Sequence, residues 1–294
     1  MNPYIQSLRL RTLPLSMSGI ILGSGLAASD LRLDAANLRL DDLRFTIVFL
    51  LAICTTLSLQ ILSNLSNELG DALKGTDTEQ NERAAYGLQA GTITMRQMKG
   101  MIWLFLALCV LFGTALIYSA FGSLFSRQGL GFLALGALAI TGAVTYTLGK
   151  RSYGYMGLGD LGVFLFFGLL STLGAYYLQT QTMTWEVVWC GAAIGFPCVG
   201  VLNLNNIRDM ANDQAHGKRT FASLLGQTGG RVYHTCLLAG CLLIFALYGH
   251  LWTLCIVPVW AWHLWYVWTH DEHLDKQMPV LMFTTLIVAI LGIF

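Results

Sequence analysis

Nine long apolar runs, nearly free of ionised side chains, leave this chain few folds to adopt. They fall near residues 13–29, 45–66, 101–121, 130–148, 158–178, 185–204, 231–248, 250–268 and 278–294. Each is about 17–22 residues long, enough to cross a bilayer as a helix. A soluble domain carries about 25% charged residues; here 11% are charged and 55% hydrophobic. The weak two-residue alternation of an outer-membrane barrel is absent. The expected fold is all-α, a polytopic bundle of nine transmembrane helices forming one domain over residues 1–294. The lipid bilayer is its expected surrounding and no nucleic-acid partner is expected; the net charge of +1 by itself says nothing about partners. The first run follows Arg9 and Arg11 and ends at Ala27-Ala28-Ser29, like a secretory leader; we read it as a membrane helix that stays. Only Gly249 and its neighbours separate runs seven and eight.

Basic residues alternate between the loops. One side holds Arg9, Arg11, Lys74, Arg83, Arg96, Lys99, Lys150, Arg151, Arg208, Lys218, Arg219, Arg231 and Lys276. The other holds Arg32, Arg39, Arg44 and Arg127. The positive-inside rule places the richer side, with the N-terminus, in the cytoplasm and the C-terminus outside. The seven cysteines all lie in apolar runs and form no C-x-x-C pair, so neither a disulfide frame nor a thiolate metal site is indicated.

Two polar segments on the cytoplasmic side share a frame. Asn67-Glu68-Leu69-Gly70-Asp71-Ala72-Leu73-Lys74-Gly75-Thr76-Asp77 follows run two, and Asp209-Met210-Ala211-Asn212-Asp213-Gln214-Ala215-His216-Gly217-Lys218 follows run six. Both read (Asn/Asp)-x-x-x-Asp-x-x-x-Gly with a lysine beside the glycine. An ionised group at a membrane helix centre costs roughly 2.5–3.5 kcal/mol, so two such clusters at membrane edges mark a site. On a helix, Asn67 and Asp71 share a face, as do Asn205, Asp209 and Asp213, with Arg208 beside them. Gly75 and Gly217 would end each helix, and Asp77 must fold back to join Asp71. Carboxylates at a hydrated edge suit Mg²⁺, which keeps waters and takes one or two carboxylates plus substrate phosphates. Lys74, Arg208, Lys218 and Arg219 among the acids point to an anion as well, and a metal-bridged diphosphate satisfies both signs.

Other charges read more plainly. Glu79, Glu82 and Arg83 are solvated loop groups, and Asp271, Glu272 and Asp275 interfacial ones. Asp30, Asp34, Asp41 and Asp42 interleave with Arg32, Arg39 and Arg44 in a solvated amphipathic stretch. Trp260, Trp262, Trp265 and Trp268 suit a membrane interface. His263 is read as a packing residue and His216 as solvated.

The motif residues also carry a resemblance. Asn67, Asp71, Gly75 and Asp77, then Asn205-Asn206-Ile207-Arg208-Asp209-x-x-x-Asp213 with Gly217-Lys218-Arg219-Thr220, resemble the UbiA superfamily of intramembrane aromatic prenyltransferases. Arg9-Leu10-Arg11-Thr12-Leu13 and Gly157-Leu158-Gly159-Asp160 add to it, so that it runs from about residue 5 to about residue 290. Within the superfamily the chain looks most like the branch that acts on 1,4-dihydroxy-2-naphthoate. The resemblance implies a bacterial inner-membrane enzyme of menaquinone synthesis. It would move a polyprenyl group from polyprenyl diphosphate to that ring, releasing CO₂ and diphosphate and giving a demethylmenaquinol. It further implies Mg²⁺ at Asp71, Asp77, Asp209 and Asp213 with Asn67 and Asn205 assisting. Arg208, Lys218 and Lys74 would meet the diphosphate, and Arg11 and Asp160 the acceptor. Asp160 stands where Glu is common, and Tyr146-Thr147-Leu148-Gly149-Lys150 lacks a proline often found after the glycine. Both departures bear on the acceptor. Two other readings stay open: a related enzyme acting on 4-hydroxybenzoate, haem or a chlorin, and a transporter of divalent cations or anionic substrates. Glu68 in place of the Asp of Asn-Asp-x-x-Asp argues against the first, and the lack of mid-span acids argues against the second.

Overall fold

Helices form where the apolar runs lie because a backbone in hydrocarbon must satisfy its own polar groups. The structure is a computed structural model describing residues 2–31, 40–75, 87–88, 90–149 and 152–294. A short α1 (Pro3–Ser7) and a 3-10 turn (Leu10–Thr12) precede α2 (Leu13–Asp30). Then come α3 (Leu40–Lys74), α4 (Met95–Phe121), α5 (Arg127–Thr145), α6 (Gly159–Val163) and α7 (Ser171–Thr180). A π-helical stretch, Phe164–Leu170, joins the last two. The chain continues through α8 (Trp185–Arg208), α9 (Met210–Ala215), α10 (Phe221–Leu247), α11 (Val257–Thr269) and α12 (Gln277–Leu291). Hydroxyl residues start several of these helices. Thr94 forms a capping box with Gln97, and Thr220 one with Ser223. The Ser126 hydroxyl accepts from Gly129 N at 3.0 Å.

Eight helical stretches among the described residues are long and apolar enough to cross a membrane. Nine were expected, and the run at 250–268 makes the difference. It is helical but changes type, a 3-10 turn over Leu251–Ile256 giving way to α11. Pro258 has no N–H to donate, so a regular helix cannot run through it and one begins there instead. The α11 segment alone covers only about 20 Å.

The first apolar run is not set apart from the rest: α2 packs on α7 and α12, with Leu22 and Ala27 fully buried. Glycines four apart permit this closeness. A Cβ on Gly19 would fall 1.9 Å from Ser171 Oγ, and one on Gly23 2.1 Å from the Thr172 carbonyl oxygen. Gly191 and Gly195 of α8 do the same against the π-helical stretch, where a Cβ on Gly168 would lie 2.5 Å from Gly195 Cα. Gly23→Val must therefore push α2 off α7. Overpacking of this kind costs about 1–3 kcal/mol or more, so the melting temperature of the detergent-solubilised protein is expected to drop by several degrees. An unchanged melting curve would refute this close crossing.

Arg44 departs from the solvated role expected of it. Its guanidinium donates to the carbonyl oxygens of Ala120 (2.9 Å), Leu178 (3.3 Å) and Gln179 (3.5 Å). These are carbonyls left over at the ends of α4 and α7, where a cation is favoured. His263 is indeed packed inside. Its Nδ1 meets Gln277 Oε1 at 2.8 Å and its Nε2 meets His234 Nε2 at 2.9 Å, all three residues being buried. With the Gln277 oxygen accepting, His263 donates from Nδ1 and accepts from His234 at Nε2.

Candidate active site

The two motifs come together at one end of the bundle. α3 ends at Lys74 and Gly75 follows with φ 71°. In the second motif α8 ends at Arg208, and Asp209 sits at a break (φ −92°, ψ 7°) before α9. The single continuous helical face expected for Asn205, Asp209 and Asp213 is therefore bent. Hydrogen bonds from Asp209 N to Asn205 O (3.0 Å) and from Asp213 N to Asp209 O (2.8 Å) nevertheless keep the three in near-helical spacing. Gly217 (φ 69°) then ends α9. Gly217 N donates to Gln214 O (3.1 Å) and Lys218 N to Asp213 O (2.8 Å), which is the Schellman pattern. That turn swings Lys218 back over Asp213, with its Nζ 3.1 Å from Oδ1 and 3.0 Å from Oδ2.

Tyr155 joins the two halves. Its hydroxyl donates to Asp71 Oδ1 at 2.9 Å. Its ring lies 3.6 Å from Lys74 Nζ and 5.7 Å from Lys218 Nζ. Its carbonyl oxygen accepts from Arg219 N at 3.2 Å, beside a bridge between Met156 and Arg219. Lys74 also donates to Ser152 Oγ. Thr147 Oγ1 donates to Asn67 Oδ1 at 2.7 Å. Gly70 allows that approach, since a Cβ there would lie 2.6 Å from the Thr147 methyl.

Arg208 is already engaged. It grips Asp209 as a fork, Nε to Oδ1 and Nη2 to Oδ2 both at 2.6 Å, and Nη2 also donates to Asn205 Oδ1 at 2.9 Å. The pair is buried, with 5% and 9% of the side chains exposed. Asp213 is buried too, and burial pushes its carboxyl above the usual carboxylate range, while Lys218 pulls it back. Asp209 and Asp71 press in the same direction as burial.

Glu68 faces away from this cluster. It is fully buried, and its Oε1 accepts from Leu88 N (2.7 Å) and Ser7 Oγ (3.3 Å). It fastens α1 and the return of the long loop to α3. Asp77 lies outside the described residues.

A cavity of about 410 Å³ opens from the cluster into the bundle. Arg9, Arg11, Asn67, Asp71, Tyr155, Asn205 and Lys218 line its polar end. Ile20, Ala52, Leu116, Ile117, Phe132 and Leu178 line its far end. Arg9 reaches the wall by adopting a left-handed conformation, φ 51°, between α1 and the 3-10 turn. Such a backbone is uncommon for a residue with a Cβ and collects at functional sites. Asp160 is not part of this wall. It lies on α6 beside Tyr233, two residues before Gly162, which is part of the wall. The sequence offered one sign of the Tyr155 loop: Ser152-Tyr153-Gly154-Tyr155 follows Lys150-Arg151 on the motif side of the membrane.

Oxygen donors from two converging motifs, lysines alongside and an apolar cavity behind define an intramembrane site for a charged head carrying a hydrocarbon tail. The chain belongs to the UbiA prenyltransferase family, which it matches over residues 35–287. It is 41% identical over 259 residues to the 1,4-dihydroxy-2-naphthoate octaprenyltransferase of Escherichia coli (strain K12), covering 88% of this chain and 79% of that one. With the enzyme of the same description from Haemophilus influenzae it shares 39% identity over 246 residues, covering 82% and 76%. Two solved structures share the fold. A UbiA homolog from Aeropyrum pernix K1 superposes with TM-score 0.61 at 18% identity, over 95% of this chain and 98% of that one. One from Archaeoglobus fulgidus, bound to GPP and Mg²⁺, gives 0.60 at 14%, over 98% and 99%.

Proposed function

We propose that this protein transfers a polyprenyl group from polyprenyl diphosphate to 1,4-dihydroxy-2-naphthoate, giving a demethylmenaquinol, CO₂ and diphosphate. The observation that carries the reading is the meeting of the two motifs around Tyr155 at the polar mouth of an apolar cavity. The naphthoate activity of the relatives supplies the acceptor. The site faces the cytoplasm from a bacterial inner membrane, with the N-terminus on that side and the C-terminus in the periplasm.

The donor set fits Mg²⁺. Asp71 and the buried Asp213 offer carboxylate oxygens, Asn67 and Asn205 amide oxygens, and Asp77 and Asp209 complete the motifs. Asp209 joins them to the extent that Arg208 releases an oxygen. When bound, the metal offsets the charge that grows on the diphosphate as the allylic C–O bond breaks. Lys74 and Lys218 bind phosphate oxygens, each ammonium keeping N–H donors beyond those used within the site. Arg208 holds Asp209 and Asn205 in place and reaches the phosphate by giving up Asn205. The diphosphate leaves with the bonding electron pair. The ring carbon bearing the carboxylate attacks the allylic carbon, and CO₂ departs leaving its electrons to restore the aromatic ring. No side-chain nucleophile takes part. Arg11, on the cavity wall, suits the acceptor carboxylate; Asp160, behind the wall beside Tyr233, is assigned to the acceptor by its motif alone.

The test is an assay of purified protein in detergent with the naphthoate, a polyprenyl diphosphate and EDTA-buffered Mg²⁺. Prenylated quinol is expected, and its formation stops when Mg²⁺ is withdrawn. Product with 4-hydroxybenzoate but none with the naphthoate would overturn the acceptor assignment.

A further inference from the structure

We propose that Tyr155 is a positioning residue that holds the Asp71 carboxylate and the ammonium groups of Lys74 and Lys218 in register for a magnesium diphosphate. This rests on the reading above and deepens it. Neither motif contains Tyr155; it lies in the 152–158 loop, yet it touches both. Its hydroxyl fixes one oxygen of Asp71 at 2.9 Å and so sets the plane of the carboxylate. Its ring stands 3.6 Å from one ammonium and 5.7 Å from the other. Two like charges so close to one another repel, and a ring face attracts both. The ring also brings no counter-charge that an incoming phosphate would have to displace.

The main chain makes the platform rigid. Arg219 N holds the Tyr155 carbonyl at 3.2 Å, and the Met156–Arg219 bridge ties the loop to the segment directly after Lys218. A displacement of the second motif is thereby passed to the ring and, through the hydroxyl, to Asp71. Lys74 is tied to the same loop through Ser152. The assembly thus sets the gap between the motifs through one side chain.

Two substitutions separate the parts. Tyr155→Phe removes the hydroxyl and keeps the ring face; Tyr155→Leu removes both. For Tyr155→Phe, the Mg²⁺ concentration for half-maximal turnover is expected to rise about tenfold, the scale of one hydrogen bond to a charged group, with melting temperature unchanged. For Tyr155→Leu, the affinity for inorganic pyrophosphate in Mg²⁺, measured by calorimetry on the solubilised protein, is expected to fall about tenfold or more. A purely structural role would lower the folded fraction and the maximal rate and leave both midpoints where they were. A Tyr155→Phe variant whose Mg²⁺ curve overlies the wild type overturns the proposal, and that variant decides alone if Tyr155→Leu does not fold. The wild type separates the two readings. If it binds magnesium pyrophosphate but transfers no prenyl group, the enzymatic reading fails, and Tyr155 is then judged on the calorimetric Mg²⁺ dependence of both variants. If it binds none, the positioning role fails.

Discussion

Asp71→Asn will reduce turnover at least a hundredfold at saturating Mg²⁺ and leave the protein folded. The amide is nearly isosteric, and its oxygen can still accept from the Tyr155 hydroxyl that now reaches Asp71 at 2.9 Å. The substitution therefore removes charge and spares geometry. Groups aimed at charge that develops in the transition state are each worth about 10²–10³ in rate, and a carboxylate that holds the neutralising cation belongs with the larger effects. Initial rates across Mg²⁺ and donor concentrations, with helical content and melting recorded in parallel, make the measurement. A rate within a few-fold of wild type would remove Asp71 from the reaction and leave the first motif unexplained. The half-buried setting of Asp71 at the cavity mouth makes a large stability loss unexpected.

Arg208→Ala is expected to act first on stability. The guanidinium is 5% exposed and satisfies both oxygens of Asp209, which is itself 9% exposed. Removing it strands a buried carboxylate, a loss of about 3–5 kcal/mol in comparable cases. The melting temperature should fall steeply and the yield of folded protein with it. The double variant Arg208→Met, Asp209→Leu takes away both charges and should recover most of that loss, since well-packed apolar replacements of a buried ion pair are often neutral. It should still be inactive if Asp209 serves the metal. A double variant that is folded and fully active would confine the pair to a structural role. A single variant as stable as wild type would show that Asp209 finds another partner or water.

The helices were legible because hydropathy and helix length answer to one constraint, the thickness of the hydrocarbon layer. Gly75 and Gly217 were legible for a local reason: each ends a helix at a positive φ of 71° and 69°. The Arg208–Asp209 fork was not, because adjacent residues on a continuous helix point about 100° apart. Only the break at Asp209 lets them meet. Tyr155 escaped notice for a tertiary reason, since 84 residues separate it from Asp71. Arg44 looked solvated because nothing local reveals that the ends of α4 and α7 will stand beside it. The glycines at 19 and 23, and at 191 and 195, went unread, because nothing local shows which helix will pack against them.

The cavity is wet at one end and oily along the rest, so it orients an amphiphile before any bond is strained. A molecule lodged in reverse, with its tail at the polar mouth, would bring its anionic head against Leu116, Ile117 and Phe132. Stripping water from such a head with no compensating partner costs many times the thermal energy. Directionality is thus written into the gradient of the walls, and no moving gate is required to enforce it.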